Sequence, residues 1–221
     1  MSSRASIIFY YDLISPYTYM GFKVFKQLRQ QWPGVDVTLK PVLLGGIMAA
    51  VNNKPLFEFP SKRNHMIADL RRTSDLTGIP FRFPVQFPVS TVLAMRVLTV
   101  IKIHETDKYE NCIDKDEYFM HGRNISQSEV IVTALAPIVG GKVRNMIQLA
   151  ADPEIKKIFK DNTDEAVAKG AFGAPTLLVK QAGSDQEHLF FGSDRFESIA
   201  GFLSIPYPGL ASFKSSNSAK L

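Results

Sequence analysis

Apolar residues crowd the run from Ser6 to Asp12 (SIIFYYD), a compact stretch of the kind a buried strand requires. Ser15-Pro16 follows at once; serine is a favoured N-cap, and proline fits the first helical position because no amide partner is lost there. Phe22, Phe25, Leu28 and Trp32 then recur at helical spacing until Pro33-Gly34 stops the run. Val35, Val37 and Leu39 alternate as a second strand ahead of Pro41. Strand, helix and strand in this order predict a right-handed βαβ unit.

The middle of the chain has a different texture. Pro55, Pro60, Pro80, Pro84 and Pro88 break the stretch after Asn52 into loops around a short helix near Lys62–Thr77. Residues 90–169 read as helices: Leu93, Val97, Val100 and Ile103 mark one face of the first, Ser126 and Glu129 form a capping-box pair, and Asp152-Pro153 starts another that Gly170 ends. β character returns in Thr176-Leu177-Leu178-Val179 and His188-Leu189-Phe190-Phe191, which flank the turn residues Ala182-Gly183-Ser184-Asp185. Ser193-Asp194 can cap a last helix through Ile199 and Leu203, and a serine-rich, disordered tail is expected after Pro208. No internal repeat is visible. The order βαβ, helical block, ββα predicts an α/β fold: a thioredoxin-like domain interrupted by an all-helical insertion subdomain.

Composition narrows the chemistry. With 221 residues, 45% of them hydrophobic, the chain has enough apolar material for a substantial core. No uninterrupted apolar run approaches the roughly 18 residues of a membrane span, and the start Met1-Ser2-Ser3-Arg4-Ala5 leaves no room for a secretion signal, so a soluble, non-secreted protein is expected. The single cysteine, Cys112, excludes an intrachain disulfide, and the four histidines fall at no metal-ligand spacing. A net charge of +5 without a basic tract suits small anions better than nucleic acid. Gly140-Gly141-Lys142-Val143 lacks the first glycine and the Ser/Thr of a phosphate loop, and neither G-x-S-x-G nor G-x-G-x-x-G occurs.

Five segments in order, Phe9-Tyr10-Tyr11-Asp12-Leu13-Ile14-Ser15-Pro16-Tyr17, Gly46-Ile47-Met48, Asn53-Lys54-Pro55, Gly170-Ala171-Phe172-Gly173-Ala174-Pro175 and Phe191-Gly192-Ser193-Asp194-Arg195, resemble the kappa class of glutathione transferases. The wider group holds DsbA-type oxidoreductases and 2-hydroxychromene-2-carboxylate isomerases, and the resemblance runs from about residue 6 to about residue 205. It implies a thioredoxin-like, glutathione-binding domain of residues 1–60 and 170–210, a helical insertion of residues 61–169 and a flexible tail of residues 211–221.

Where dithiol relatives carry Cys-x-x-Cys, this chain has Ser15-Pro16-Tyr17-Thr18. A hydroxyl cannot exchange disulfides, because the attacking species is a thiolate. It can donate a hydrogen bond to a thiolate that a ligand brings, and a helix start adds partial positive charge. Spacing alone reads Ser15-Pro16 as an ordinary cap; the resemblance implies that Ser15 is catalytic and that Pro16 and Tyr17 line the thiol pocket. The same resemblance implies a cis-Pro175 that leaves the backbone of Ala174 to pair with extended glutathione. It places the γ-glutamyl end at Ser193 and Asp194, and the glycyl end at Asn53 and Lys62. Alone, these residues read as turn, cap and solvated positions. Cys112 reads as an inert buried thiol.

The function implied is conjugation of glutathione to small electrophiles, extending to lipid hydroperoxides, with glutathione as co-substrate, no metal, no nucleic-acid partner and a homodimeric assembly. A glutathione-dependent isomerase and a non-catalytic scaffold on the same fold are the alternatives. Ala219-Lys220-Leu221 varies the peroxisomal Ser-Lys-Leu address, so peroxisomal residence is expected, with mitochondrial residence as a second site.

Overall fold

A computed structural model describes residues 3–114 and 117–214. The first strand, β1 (Ala5–Tyr11), is buried at Ile7, Phe9, Tyr10 and Tyr11 and leads into α1 (Pro16–Gln31). β2 (Val35–Pro41) lies parallel to β1. The terminal hairpin, β3 (Thr176–Lys180) and β4 (Glu187–Phe191), sets β3 antiparallel to β1, giving the order β2-β1-β3-β4. Each hairpin strand runs one residue beyond its apolar core.

Helices cover both faces. Phe22, Phe25 and Leu28 of α1 and its C-cap Trp32 are all buried, as their spacing predicts, and pack with Phe9, Leu177, Val179 and Phe196. Phe196 opens α9 (Phe196–Leu203). Tyr10 and Leu178 point to the other face, where they meet Val42, Ile47, Ala166 and Ala171. Ile47 belongs to α2 (Leu44–Ala50) and Ala166 to α8 (Pro153–Ala168). Between them lie α3 (Pro60–Thr77), α4 (Val92–His104), α5 (Tyr109–Ile113), α6 (Ser128–Val139) and α7 (Val143–Leu149). One contiguous core joins the sheet to the helical block, through residues such as Met95, Leu98, Ile131 and Phe159.

Several expectations need correction. The helix near Lys62–Thr77 starts at Pro60 and is 18 residues long rather than short. α2 was not foreseen at all. α4 is buried at Ala94, Met95, Val97, Leu98, Val100 and Ile101, so it is a core helix with no single apolar stripe, and Ile103 is exposed. The Ser126/Glu129 capping box does not form: Ser126 Oγ donates to Asn124 Oδ1 at 2.6 Å, Glu129 pairs with Arg144 at 3.0 Å, and Gln127 occupies the N-cap. Ser193 and Asp194 do not cap α9, because the turn they occupy ends one residue too early and Arg195 is the N-cap. Part of the expected tail packs instead: Phe213 is buried in the core, and its amide bonds to the Leu210 carbonyl at 3.2 Å. Finally, the run Ser128–Leu149, with a mean hydropathy of 1.4, is long and apolar enough to cross a bilayer by length and composition. Its residues Ile131, Leu135, Val139, Val143 and Met146 are core residues here, and Lys142 and Arg144 interrupt the run. The serine-rich residues 215–218 and the tripeptide Ala219-Lys220-Leu221 lie outside the described residues.

Candidate active site

The β1–α1 junction sets the site. Asp12 directly follows β1 and is fully buried. Its carboxylate accepts from the Ile14 amide at 3.0 Å and the Leu44 amide at 2.8 Å, while its carbonyl accepts from the Ser15 amide at 3.1 Å. Burial pushes the Asp12 carboxyl above the ordinary carboxylate range, opposed by hydrogen bonds from Leu44, Ile14 and the Thr91 side chain. One buried acid thus ties the turn before α1 to the start of α2 and to the approach to α4.

Ser15 sits at the N-cap of α1, 4% exposed, with extended backbone angles (φ −82°, ψ 117°) and Pro16 at the first helical position. Its Oγ accepts from the Thr18 amide at 3.1 Å and donates to the Ala174 carbonyl at 2.9 Å. With proline supplying no amide and Thr18 spent on Ser15, the Tyr17 amide is the first-turn donor with no acceptor among the described residues. A hydroxyl and a helix-start amide therefore converge where the sequence analysis expects a thiolate.

The loop facing Ser15 carries Ala174, joined to Pro175 by a cis peptide bond as expected. A second cis peptide, Phe87-Pro88, also lines the cleft and has no counterpart in the sequence analysis. Close approach explains Gly21 in α1: a Cβ there would lie 3.0 Å from Ser193 Cβ and 3.6 Å from Pro175 Cγ, so its absence lets α1 pack against both loops. Gly192 holds φ at +105°, a left-handed value that L side chains rarely adopt, and its amide donates to the Pro175 carbonyl at 3.0 Å.

Between these elements opens a cleft of about 770 Å³. Ser15, Pro16, Tyr17, Asn53 and Ala174 all line it, so five of the predicted site residues come together. Its apolar walls include Ile14, Leu43, Met48, Phe57, Met66 and Phe87, with Phe57 and Phe87 edge to face at 5.4 Å. Phe172 and Phe191, with ring centroids 4.3 Å apart, form one lip. Asn53 spans the mouth: its Nδ2 donates to the Phe172 carbonyl at 2.8 Å and its Oδ1 accepts from the Lys54 amide at 2.9 Å. The Tyr17 hydroxyl donates to Asp69 Oδ2 at 3.3 Å; burial, then the Asp69 carboxylate, pushes that phenol up to about 12, so it stays a donor through the neutral range.

Ser193 and Asp194 do not line the cleft. Asp194 is close enough to act electrostatically on Tyr17, and its carboxylate is paired with the exposed Arg195 guanidinium. An exposed pair of this kind is weak and open to a competing cation. Lys62 lies apart from the cleft walls, its ammonium 4.6 Å over the Phe59 ring. Thr18, where a second thiol would stand in a dithiol relative, faces a separate cavity of about 30 Å³ with Leu13, Phe22 and Ile113. Cys112 is buried in α5. Among the described residues, no group of three or more His, Cys, Asp or Glu side chains converges as a metal site. Sequence reasoning passed over Asp12, whose one signal was an acid closing an apolar strand, and gave no role to Arg195 or Phe191.

A family model described as a DSBA-like thioredoxin domain matches residues 6–204. Glutathione S-transferase kappa 1 of Caenorhabditis elegans is 34% identical, over 94% of this chain and 95% of its own length. The human protein of the same name is 30% identical, over 90% of this chain and 91% of its own. In fold, the structure of 2-hydroxychromene-2-carboxylate isomerase superposes with a TM-score of 0.75 over 90% of this chain and 94% of that one, at 17% identity. A hydroxyl where the dithiol branch keeps sulfur, on a DSBA-like fold with these relatives, leads to one assignment: the chain belongs to the kappa class of glutathione transferases.

Proposed function

We propose that this chain binds glutathione across the cleft and conjugates it, through its sulfur, to small electrophiles. The observation that carries this reading is the Ser15 hydroxyl at the start of α1, facing Ala174 and opening on an apolar cleft large enough for a tripeptide and a second substrate. Hydrogen-bond donors preorganised in a largely dry site stabilise an anion more than they would in water. The Ser15 hydroxyl and the positive end of α1 favour the thiolate over the thiol. An ionised sulfur then attacks the electrophilic carbon, forming a thioether while a halide or other leaving group departs with the electron pair. No separate base is required at that step, since the thiol proton has passed to solvent water on binding.

In this reading Tyr17 and Pro16 wall the sulfur, the main chain of Ala174, beside Pro175, pairs with the peptide, and Asp194 with Ser193 takes the γ-glutamyl end by displacing Arg195. Asn53 meets the glycyl end. Residues 1–60 and 170–210 hold glutathione, residues 61–169 supply the wall that receives the electrophile, and two copies assemble as a homodimer. Mixing the protein with glutathione and an aryl halide should consume both and release halide. Glutathione regenerated with an isomerised unsaturated substrate would instead favour the isomerase reading, and no glutathione binding at millimolar ligand would favour a scaffold.

Two outcomes follow locally. Asp194→Asn should raise KM for glutathione by about tenfold, the scale of one charge-assisted hydrogen bond, and leave kcat within about twofold. Steady-state kinetics at varied glutathione would show it, and an unchanged KM removes Asp194 from the binding site. Peroxisomal residence belongs to the same proposal and rests on Ala219-Lys220-Leu221 together with the family. A fluorescent protein extended by residues 206–221 should become punctate in cells, and a diffuse signal would end that part.

A further inference from the structure

The proton of the Ser15 hydroxyl is already in use. Ser15 Oγ accepts the Thr18 amide and donates to the Ala174 carbonyl, and both Ser15 and Ala174 are buried. A serine hydroxyl has one hydrogen to give. It cannot serve a sulfur while it serves Ala174, and turning away breaks that hydrogen bond and leaves the carbonyl in need of another donor. Ala174 precedes β3, outside the ladder that pairs Thr176–Lys180 with β1 and β4, and Ser15 is the one donor to its carbonyl among the described residues.

We propose that the site activates a thiol by exchanging hydrogen bonds: a main-chain N–H of the ligand takes over the Ala174 carbonyl, and this releases the Ser15 hydroxyl to the sulfur. The inference rests on the glutathione reading of the same cleft and adds a selection rule to it. Rotation about the Cβ–Oγ bond redirects the hydroxyl hydrogen while Oγ keeps the Thr18 amide, so the cap of α1 is undisturbed and no backbone moves. A cysteinyl thiol carrying its own amide N–H satisfies the vacated carbonyl. A simple alkyl thiol of the same acidity does not, and for it the hydroxyl stays on Ala174. The cleft therefore tells peptide thiols from other thiols at the step of ionisation, not only through contacts at the two ends of the tripeptide.

The test uses the wild-type chain, glutathione and its ester analogue, in which an oxygen replaces the N–H linking the γ-glutamyl and cysteinyl units. The ester keeps the thiol and both carboxylates at nearly unchanged size. Ultraviolet absorbance of the thiolate is followed against pH for each saturated complex, relative to the same thiol free in solution. The expected result is a downward shift for the ester that is smaller than for glutathione by about one pH unit, a tenfold lower thiolate-to-thiol ratio. Equal shifts would overturn the exchange. Glutathione bound with no shift would overturn the Ser15 reading beneath it, a failure visible in the same titration. A structure of the glutathione complex gives an independent check. The cysteinyl N–H should lie within hydrogen-bond reach of the Ala174 carbonyl with Ser15 Oγ against sulfur; a cysteinyl N–H directed to solvent while sulfur sits on Ser15 would contradict the exchange.

Discussion

Ser15→Ala should lower kcat/KM for conjugation by roughly 10- to 100-fold, with most of the loss in kcat. The magnitude is that of one hydrogen bond to a charged group. Binding of the tripeptide itself should weaken little, because its ends are held elsewhere, so the KM for glutathione is expected to change by less than about threefold. The same substitution removes the N-cap of α1 and the donor to Ala174, and a lost cap costs about 1 kcal/mol. A modest fall in unfolding free energy must therefore accompany the kinetic loss without explaining it. Ser15→Thr separates the two effects, since it keeps a hydroxyl and should recover most of the rate. Full activity in the alanine variant, measured at saturating electrophile, would show that the thiolate is stabilised by something else.

The largest effect on stability should come from Phe25→Ala. Phe25 is fully buried in α1, stacked on Phe9 at 5.2 Å and on Phe196 at 5.7 Å, with Trp32 edge-on at 6.4 Å. Removing that ring leaves a cavity at the meeting point of β1, α1 and α9, and such truncations cost about 3–5 kcal/mol. Urea unfolding should show an earlier midpoint with an unchanged slope, the sign of a stability change rather than a change in exposed surface. The effect bears on the site as well, because the same helix presents Ser15 at its other end. A midpoint unmoved by the substitution would mean that the aromatic stack does not hold α1 in place.

The sheet and α1 were legible because their patterns are local. SIIFYYD is continuous, the face of α1 repeats every three or four residues, and Pro33-Gly34 breaks the run between α1 and β2. α2 was not legible, because LGGIMAA holds two glycines in seven residues and is kept helical by its seat against α8 and the sheet. The failed caps have local causes. Ser126 and Ser193 have the right chemistry at helix entries, yet nearer partners or an intervening turn claim the position, which sequence spacing does not reveal. Phe213 was lost in a polar tail for a similar reason: a single aromatic has no periodicity, and only the core shows where it goes.

The candidate site divides along the same line. Ser15, Pro16, Tyr17, Asn53 and Ala174 were identified through motifs and do converge on the cleft. Asp194 and Ser193 are not among its walls: Gly192 bonds to the Pro175 carbonyl, and Ser193 packs beside Gly21 of α1. Asp12 needed the structure, since three donors from three different segments meet at one carboxylate and no local pattern joins Ile14, Leu44 and Thr91.

The most direct test is the ionisation midpoint of glutathione bound to the wild-type protein and to Ser15→Ala, read from thiolate absorbance across the pH range. Wild type should ionise the thiol at least about two pH units below its free value, near an ordinary cysteine's 8.5, and the alanine variant should return at least about one of those units. Identical midpoints in the two proteins would contradict the account.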